Sequence, residues 1–196
     1  VVLWALSIQG LDLRAMTDTG LVSILPVSTY LSLALLVVSF CIINHRQDTR
    51  EGLLFLHVVT LIFLLHATPA IVYETLRYSW AWKHVGIIDY IQRHHSLNPA
   101  IEFLNAYHNW PGFFTLGAFI TEMANRKDAL VMAMWAPTFF NLLYLGALLL
   151  IFKSLTRDRR LVWLGIWFFY LANWVGQDYF SPQGLNYFLH LTILGI

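Results

Sequence analysis

Few carboxylates occur in this chain, and three stand where acid–base chemistry could be done. Asp178 lies in the polar stretch 173–183, between an apolar run at 161–175 and another that starts at Leu185, with Gln177 and Tyr179 beside it. A carboxylate leaving a rigid helix end has the scaffold a general base needs. Glu74 follows an apolar run and neighbours Arg77, which suits either a base or a surface ion pair. Asp89 falls on the polar side of a helical pattern. Asp12 and Asp18 are further carboxylates near the start of the chain. Arg77, Lys83 and Arg93 supply cations that could meet a phosphate, Arg bidentately and Lys as a point charge. The ordinary role of such residues beside apolar runs is snorkelling to lipid headgroups. His84, His94, His95 and His108 fall in the same region but lack the i, i+4 pairing of a helical zinc site.

The elements that must hold these groups are apolar. The chain has 196 residues, 58% hydrophobic and 12% charged, with mean hydropathy +0.62. Soluble domains carry roughly 25% charged residues, so lipid is the expected solvent. A net charge of +1 without a basic tract gives no footprint for nucleic acid. The single cysteine, Cys41, excludes an intrachain disulfide and a cysteine metal site. A span needs about 20 apolar residues, and residues 21–44, 52–71 and 129–152 meet that length without a charge. His57 and His66 lie inside the second and are expected to hydrogen-bond within the bundle. Residues 1–8 read as the tail of a span, and the run 111–124 as a half-helix too short to cross comfortably. Trp80, His84, Ile87, Ile88 and Ile91 recur at helical spacing, with Lys83, Asp89, Gln92 and Arg93 on other faces, which predicts a helix lying in the membrane interface. Asn98-Pro99 predicts a cap opening a second short helix through Tyr107. The fold class is therefore all-α: a polytopic transmembrane bundle, one domain over 1–196, with interfacial helices and a half-helix in a large loop, 70–128. The chain starts without Met in one apolar run and stops in another, which predicts a piece of a longer protein.

Positive residues in short loops mark the cytoplasmic side. Arg46 and Arg50 place the 44–51 loop there, and Lys153, Arg157, Arg159 and Arg160 place 153–160 there too. An odd number of crossings then connects them, so 111–124 dips in and returns. Loop 9–20, the segment 70–128 and the turn 176–183 share the extracytoplasmic face of a multi-pass plasma-membrane protein. No carboxylate falls within the full spans, which speaks against a proton or ion path through the bilayer centre.

A span, a large outer loop with interfacial helices and a Pro-led half-helix, a further span, a basic loop and a polar outer turn occur in that order. This resembles the front half of GT-C-type glycosyltransferases. The strings that carry it are Trp80-Ala81-Trp82-Lys83-His84-Val85-Gly86-Ile87-Ile88-Asp89-Tyr90-Ile91, Tyr107-His108-Asn109-Trp110-Pro111-Gly112-Phe113-Phe114, and residues 173–183, within 53–196. They are also similar to actinobacterial membrane proteins described by analogy as glycosyltransferases. The resemblance implies inverting transfer of a sugar from a polyprenyl-phosphate donor to a glycan or lipid acceptor. A carboxylate would take the acceptor proton, and cations or a divalent metal, Mg or Mn, would neutralise the departing phosphate. Asp178, Glu74 and Asp89 are then the candidate bases. Arg77, Lys83, His84, Tyr107, His108, Trp110, Gln177 and Tyr179 are the candidate substrate contacts. The aromatic density at Trp80, Trp82, Tyr107 and Trp110 fits sugar stacking and an interfacial belt equally well. One departure stands out: these enzymes place a catalytic Asp after the span that opens the large loop, whereas residues 68–78 carry only Glu74. A lipid-linked saccharide transporter or polymerase and a non-catalytic scaffold are the alternatives.

Overall fold

The structure, a computed structural model, describes residues 1–46, 48, 50–173, 176 and 178–196. All regular elements among them are helical. Three helical stretches are long and apolar enough to cross a membrane: α2 (Val27–His45), the rod Glu51–Val72 and α8 (Leu130–Leu155). α2 begins after Pro26, which occupies its N-cap, so residues 21–23 form a separate short 3-10 turn instead of extending the span. The rod is not uniform. α3 (Glu51–Ile62) passes into a π turn at Phe63–Ala67, and α4 (Thr68–Val72) completes it. Pro69 at the start of α4 has no N–H to give the preceding turn, and a widened turn is a common accommodation of such a break.

The short α1 (Val2–Ser7) packs on α2 and is pinned to the rod, Trp4 Nε1 donating to Thr68 Oγ1 at 2.9 Å. Inside the bundle His57 is satisfied at both nitrogens, by Ser39 Oγ at 2.9 Å and the Leu53 carbonyl at 2.7 Å, as its place within a span predicts. The outward faces stay apolar: Leu31, Leu35, Val38 and Ile42 on α2, and Phe139 and Leu150 on α8, are all exposed. That exterior suits lipid.

The two basic loops meet at one end of the bundle. α9 (Arg159–Ala172) opens there, and the Arg159 and Arg160 guanidinium groups donate to the Arg46 and His45 carbonyls that end α2. Lys153 Nζ pairs with Glu51 Oε2 at 3.2 Å on the same level. α9 leans on α2 through Phe40 and Trp167, stacked at 3.9 Å, and on α8 where Gly165 admits the Phe152 ring.

From that end α9 climbs about 21 Å, short of a ~30 Å hydrocarbon core. Tyr170 at its upper end donates to the Asn141 carbonyl in the middle of α8. α10 (Pro182–Gly195) then starts alongside Tyr144, whose hydroxyl donates to the Gly184 carbonyl at 3.0 Å, and its end packs near Ala147 and Leu150. The turn expected at the surface instead abuts the middle of the longest helix. Ser181-Pro182 accounts for the rest: Ser181 Oγ accepts the Gly184 N–H and Pro182 takes the first turn, so α10 starts before the apolar run does.

Above the rod, α5 (Ser79–His94) packs on α7 (Gly112–Met123), with Gly117 seated against the Ile88 side chain. The buried stripe of α5 is Ala81, His84, Val85, Ile87 and Ile88. Trp80 lies off that stripe and is exposed, with Lys83 Nζ 3.5 Å above its ring. The helix expected from Asn98 does not form there. Asn98 Oδ1 accepts the Ala100 N–H in a local turn, Leu104 adopts φ 62°, and α6 covers only Asn105–Asn109.

Candidate functional site

Asp178 is the one buried carboxylate among the described residues, 7% exposed. Three elements converge on it. His66, inside the π turn, places Nδ1 2.9 Å from Asp178 Oδ2, and Asn141 of α8 donates Nδ2–H to the same oxygen at 2.8 Å. Gly176 holds a φ of 63° just before it, a left-handed conformation in which glycine avoids the strain a side chain would bring. The donors of Asn141 Nδ2 are both used, because it also donates to the Pro137 carbonyl at 2.8 Å. Its 3.2 Å approach to His66 Nδ1 is a contact of two donors, since Nδ1 gives its proton to the carboxylate.

A narrow cleft of about 20 Å³, room for one water, borders this cluster. Its walls include His66, Pro69, Arg77, Tyr78, Pro137 and Tyr179. Pro69 of the rod and Pro137 inside α8 thus border the same space. Tyr78 and Tyr179 lie 5.2 Å apart across it, and the Arg77 guanidinium sits 5.1 Å from the Tyr78 ring. Arg77 is exposed, and no ion pair with Glu74 forms. Next to the cluster, α7 and α8 leave an apolar groove of about 330 Å³, lined by Phe113, Ile120, Trp135, Phe139, Phe180 and Leu185 among others.

His84 ties α5 to the Asp178 turn. It is fully buried, and Nδ1 donates to the Phe180 carbonyl at 2.7 Å. Tyr107, Phe114 and Tyr179 surround its ring at 5.2, 5.6 and 5.9 Å. Burial pushes its pKa below the usual imidazole range, against the opposing effect of the Phe180 bond, so it stands neutral at pH 7. His84, Tyr107 and Tyr179 therefore form one aromatic wall behind the turn. His108 is also buried, but its Nδ1 accepts the Asn98 N–H, and its ring meets Tyr90 edge-on, which makes it a loop anchor. Trp110 is 83% exposed near the start of α10. Lys83 is engaged with Trp80 and Phe103. Asp89 pairs with Arg93 at 2.9 Å on the outer face of α5, and Glu74 is exposed in the loop after α4. Neither lines the cleft beside Asp178. Gln177 lies outside the described residues.

Two members of the cluster carried a weaker sequence signal. His66 stood out only as a histidine within a span, and Asn141, an amide in an otherwise apolar run, was not singled out. Polar side chains in such runs mark functional or packing sites by default. Among the described residues no three His, Cys, Asp or Glu side chains converge as a metal set. No known family matches the chain, and neither a curated protein nor a solved structure does.

Proposed function

We propose that this chain acts in a membrane glycosyltransferase that moves a sugar from a polyprenyl-phosphate donor to the hydroxyl of a glycan or lipid acceptor at the extracytoplasmic side. The observation that carries the reading is the Asp178 cluster: a buried carboxylate held by His66 and Asn141 beside a cleft that Arg77 borders. Inverting transfer asks for a proton acceptor at the acceptor hydroxyl and a cation at the leaving phosphate. The cluster offers the first and the Arg77 guanidinium the second. The adjoining apolar groove suits the isoprenoid chain, because it is walled almost wholly by aromatic and aliphatic side chains. A Mg or Mn ion would need several oxygen ligands, whereas Asp178 is the one buried carboxylate among the described residues, a poor fit to such an ion.

A transporter of lipid-linked saccharide is the second reading, and one observation favours it. If the three long stretches cross a bilayer, His66 and Asn141 sit roughly 15–22 Å from the Glu51–Lys153 level, well inside a ~30 Å core. Interrupted helices around a polar site at that depth are a transporter trait. The test is the purified chain in vesicles supplied with a polyprenyl-phosphate sugar. The transferase reading expects a glycosylated product, lost at least ~100-fold in Asp178→Asn, and a raised KM for the donor in Arg77→Gln. Normal turnover in Asp178→Asn overturns it. Movement of the donor across the vesicle without product selects transport.

A further inference from the structure

The geometry points to His66 Nε2, with Asp178 behind it, as the atom that takes the acceptor proton. This rests on the transferase reading and assigns its base to a residue of the π turn in place of the carboxylate. Three observations carry it. First, His66 lines the cleft and Asp178 does not. Second, the tautomer follows from the partners. A carboxylate oxygen beside Nδ1 at 2.9 Å takes that proton, and the neighbouring Asn141 amide nitrogen, itself a donor, cannot be relieved by it. The neutral ring therefore carries its lone pair on Nε2. Third, Nε2 is buried and has no partner among the described residues. Buried ring nitrogens are ordinarily satisfied, so a bare one on a residue that lines a water-sized cleft is a vacancy for a donor. Asp178 Oδ2, by contrast, already accepts two hydrogen bonds.

The step balances. The acceptor hydroxyl gives its proton to Nε2 as its oxygen bonds to the anomeric carbon. The bond from that carbon to the phosphate oxygen breaks, and its electron pair leaves with the polyprenyl phosphate, which meets Arg77. The imidazolium is stabilised by the Asp178 carboxylate on Nδ1 and returns its proton to water afterwards. Asp178 is then a positioning residue. The arrangement matches the division of labour in an Asp–His pair, where the carboxylate fixes the tautomer and stays ionised. Asn141 completes it by donating to the same carboxylate oxygen. Pro69 is the sequence cause, because the widened turn it follows contains His66.

The test uses two replacements of His66 and one of Asp178 in the vesicle assay. His66→Asn keeps an N–H donor near the Nδ1 position and removes the base, so folding is retained. It is expected to lower kcat ~100-fold or more with KM for the donor changed less than ~3-fold. His66→Ala is expected to be equally slow and to regain turnover with added imidazole. Asp178→Asn is expected to be slow as well, and combining it with His66→Asn to cost little more, since the pair acts as a unit. Nitrogen-15 spectra of histidine-labelled protein should show His66 with Nδ1–H and a bare Nε2, reversed in Asp178→Asn. Activity within ~3-fold of wild type in His66→Asn, with Asp178→Asn inactive, overturns the inference and leaves the transferase reading standing. An Nε2–H tautomer in the wild type overturns it as well. Wild-type protein that forms no product brings down both.

Discussion

A double-mutant cycle between Asn141 and Asp178 measures whether the buried carboxylate is charged. The two side chains meet at 2.8 Å, and Asn141 Nδ2 also donates to the Pro137 carbonyl. Asn141→Leu keeps nearly the same volume and removes both donations. Asp178→Ala removes the acceptor and leaves His66 Nδ1–H and the Asn141 amide short of a partner. Each orphaned donor costs about 1–3 kcal/mol, so Asp178→Ala alone should destabilise by roughly 2–6 kcal/mol. The Pro137 contact and the cavity at position 178 appear on both sides of the cycle and cancel to first order, leaving the 141–178 coupling. A hydrogen bond to a charged group contributes about 1.5–3 kcal/mol, whereas interhelical side-chain bonds in a membrane protein average about 0.6 kcal/mol. The two values are far enough apart to decide. Reversible unfolding in mixed micelles with increasing dodecyl sulfate gives the four stabilities. Coupling of ~1.5 kcal/mol or more is expected. A value of ~0.6 kcal/mol or less means a neutral Asp178, which could neither orient nor stabilise an imidazolium, and the reasoning about this cluster fails.

Two further outcomes follow from the packing. His84 is held neutral by burial, so the unfolded chain binds a proton before the folded one does as pH drops below 6.5. Stability is full above that pH and declines beneath it until the folded group itself protonates; the unfolding midpoint of wild type should fall between pH 7.5 and 5 by more than that of His84→Phe, and equal slopes would refute the assignment. A Cβ at Gly165 would stand 2.5 Å from Phe152 Cε1 and 2.9 Å from two more ring atoms. Gly165→Val should therefore destabilise the α8–α9 crossing by about 1–3 kcal/mol in the same unfolding assay, and partial recovery in Gly165→Val with Phe152→Leu would locate the strain.

The three long apolar stretches were legible because helices long and apolar enough to cross a membrane announce themselves by length and lack of charge. Their bounds shifted most where a proline intervened, at Pro26, while the third ran on past Phe152 to Leu155. The amphipathic α5 was legible by its period, although Ala81, and not Trp80, takes the buried position beside His84. Chain ends of α5 and α6 were not, because an Asn-Pro pair caps a helix only when the following residues continue it, and Leu104 breaks away into a left-handed conformation. Asp178 was legible as an oddity of its turn. Its partners were not, because the π turn that carries His66 and the level of α8 at which Asn141 lies are tertiary facts with no local signature beyond a polar residue in an apolar run.

Residues 52–71 and 129–152 carry no carboxylate, yet one reaches the middle of the bundle between them, and the reason is geometric. A charge can be brought to the middle of a bundle by a turn as well as by a helix. α9, with 14 residues, stops about halfway up α8, and α10, also of 14, begins there. Had α9 run the full ~20 residues that a crossing needs, the same turn would have emerged at the surface with Asp178 in water, where a pair with His66 contributes little. The hairpin of two short helices thus brings a carboxylate to the middle of the bundle from a turn instead of from one of the three long apolar stretches. Its cost is a turn whose polar groups must all be met inside the bundle. Among the described residues, Asn141 and His66 meet the Asp178 carboxylate, His84 meets the Phe180 carbonyl and Tyr144 the Gly184 carbonyl. The site is therefore assembled by the same contacts that make a half-height hairpin tolerable. A substitution that lets the turn rise should abolish the cleft before it unfolds the helices.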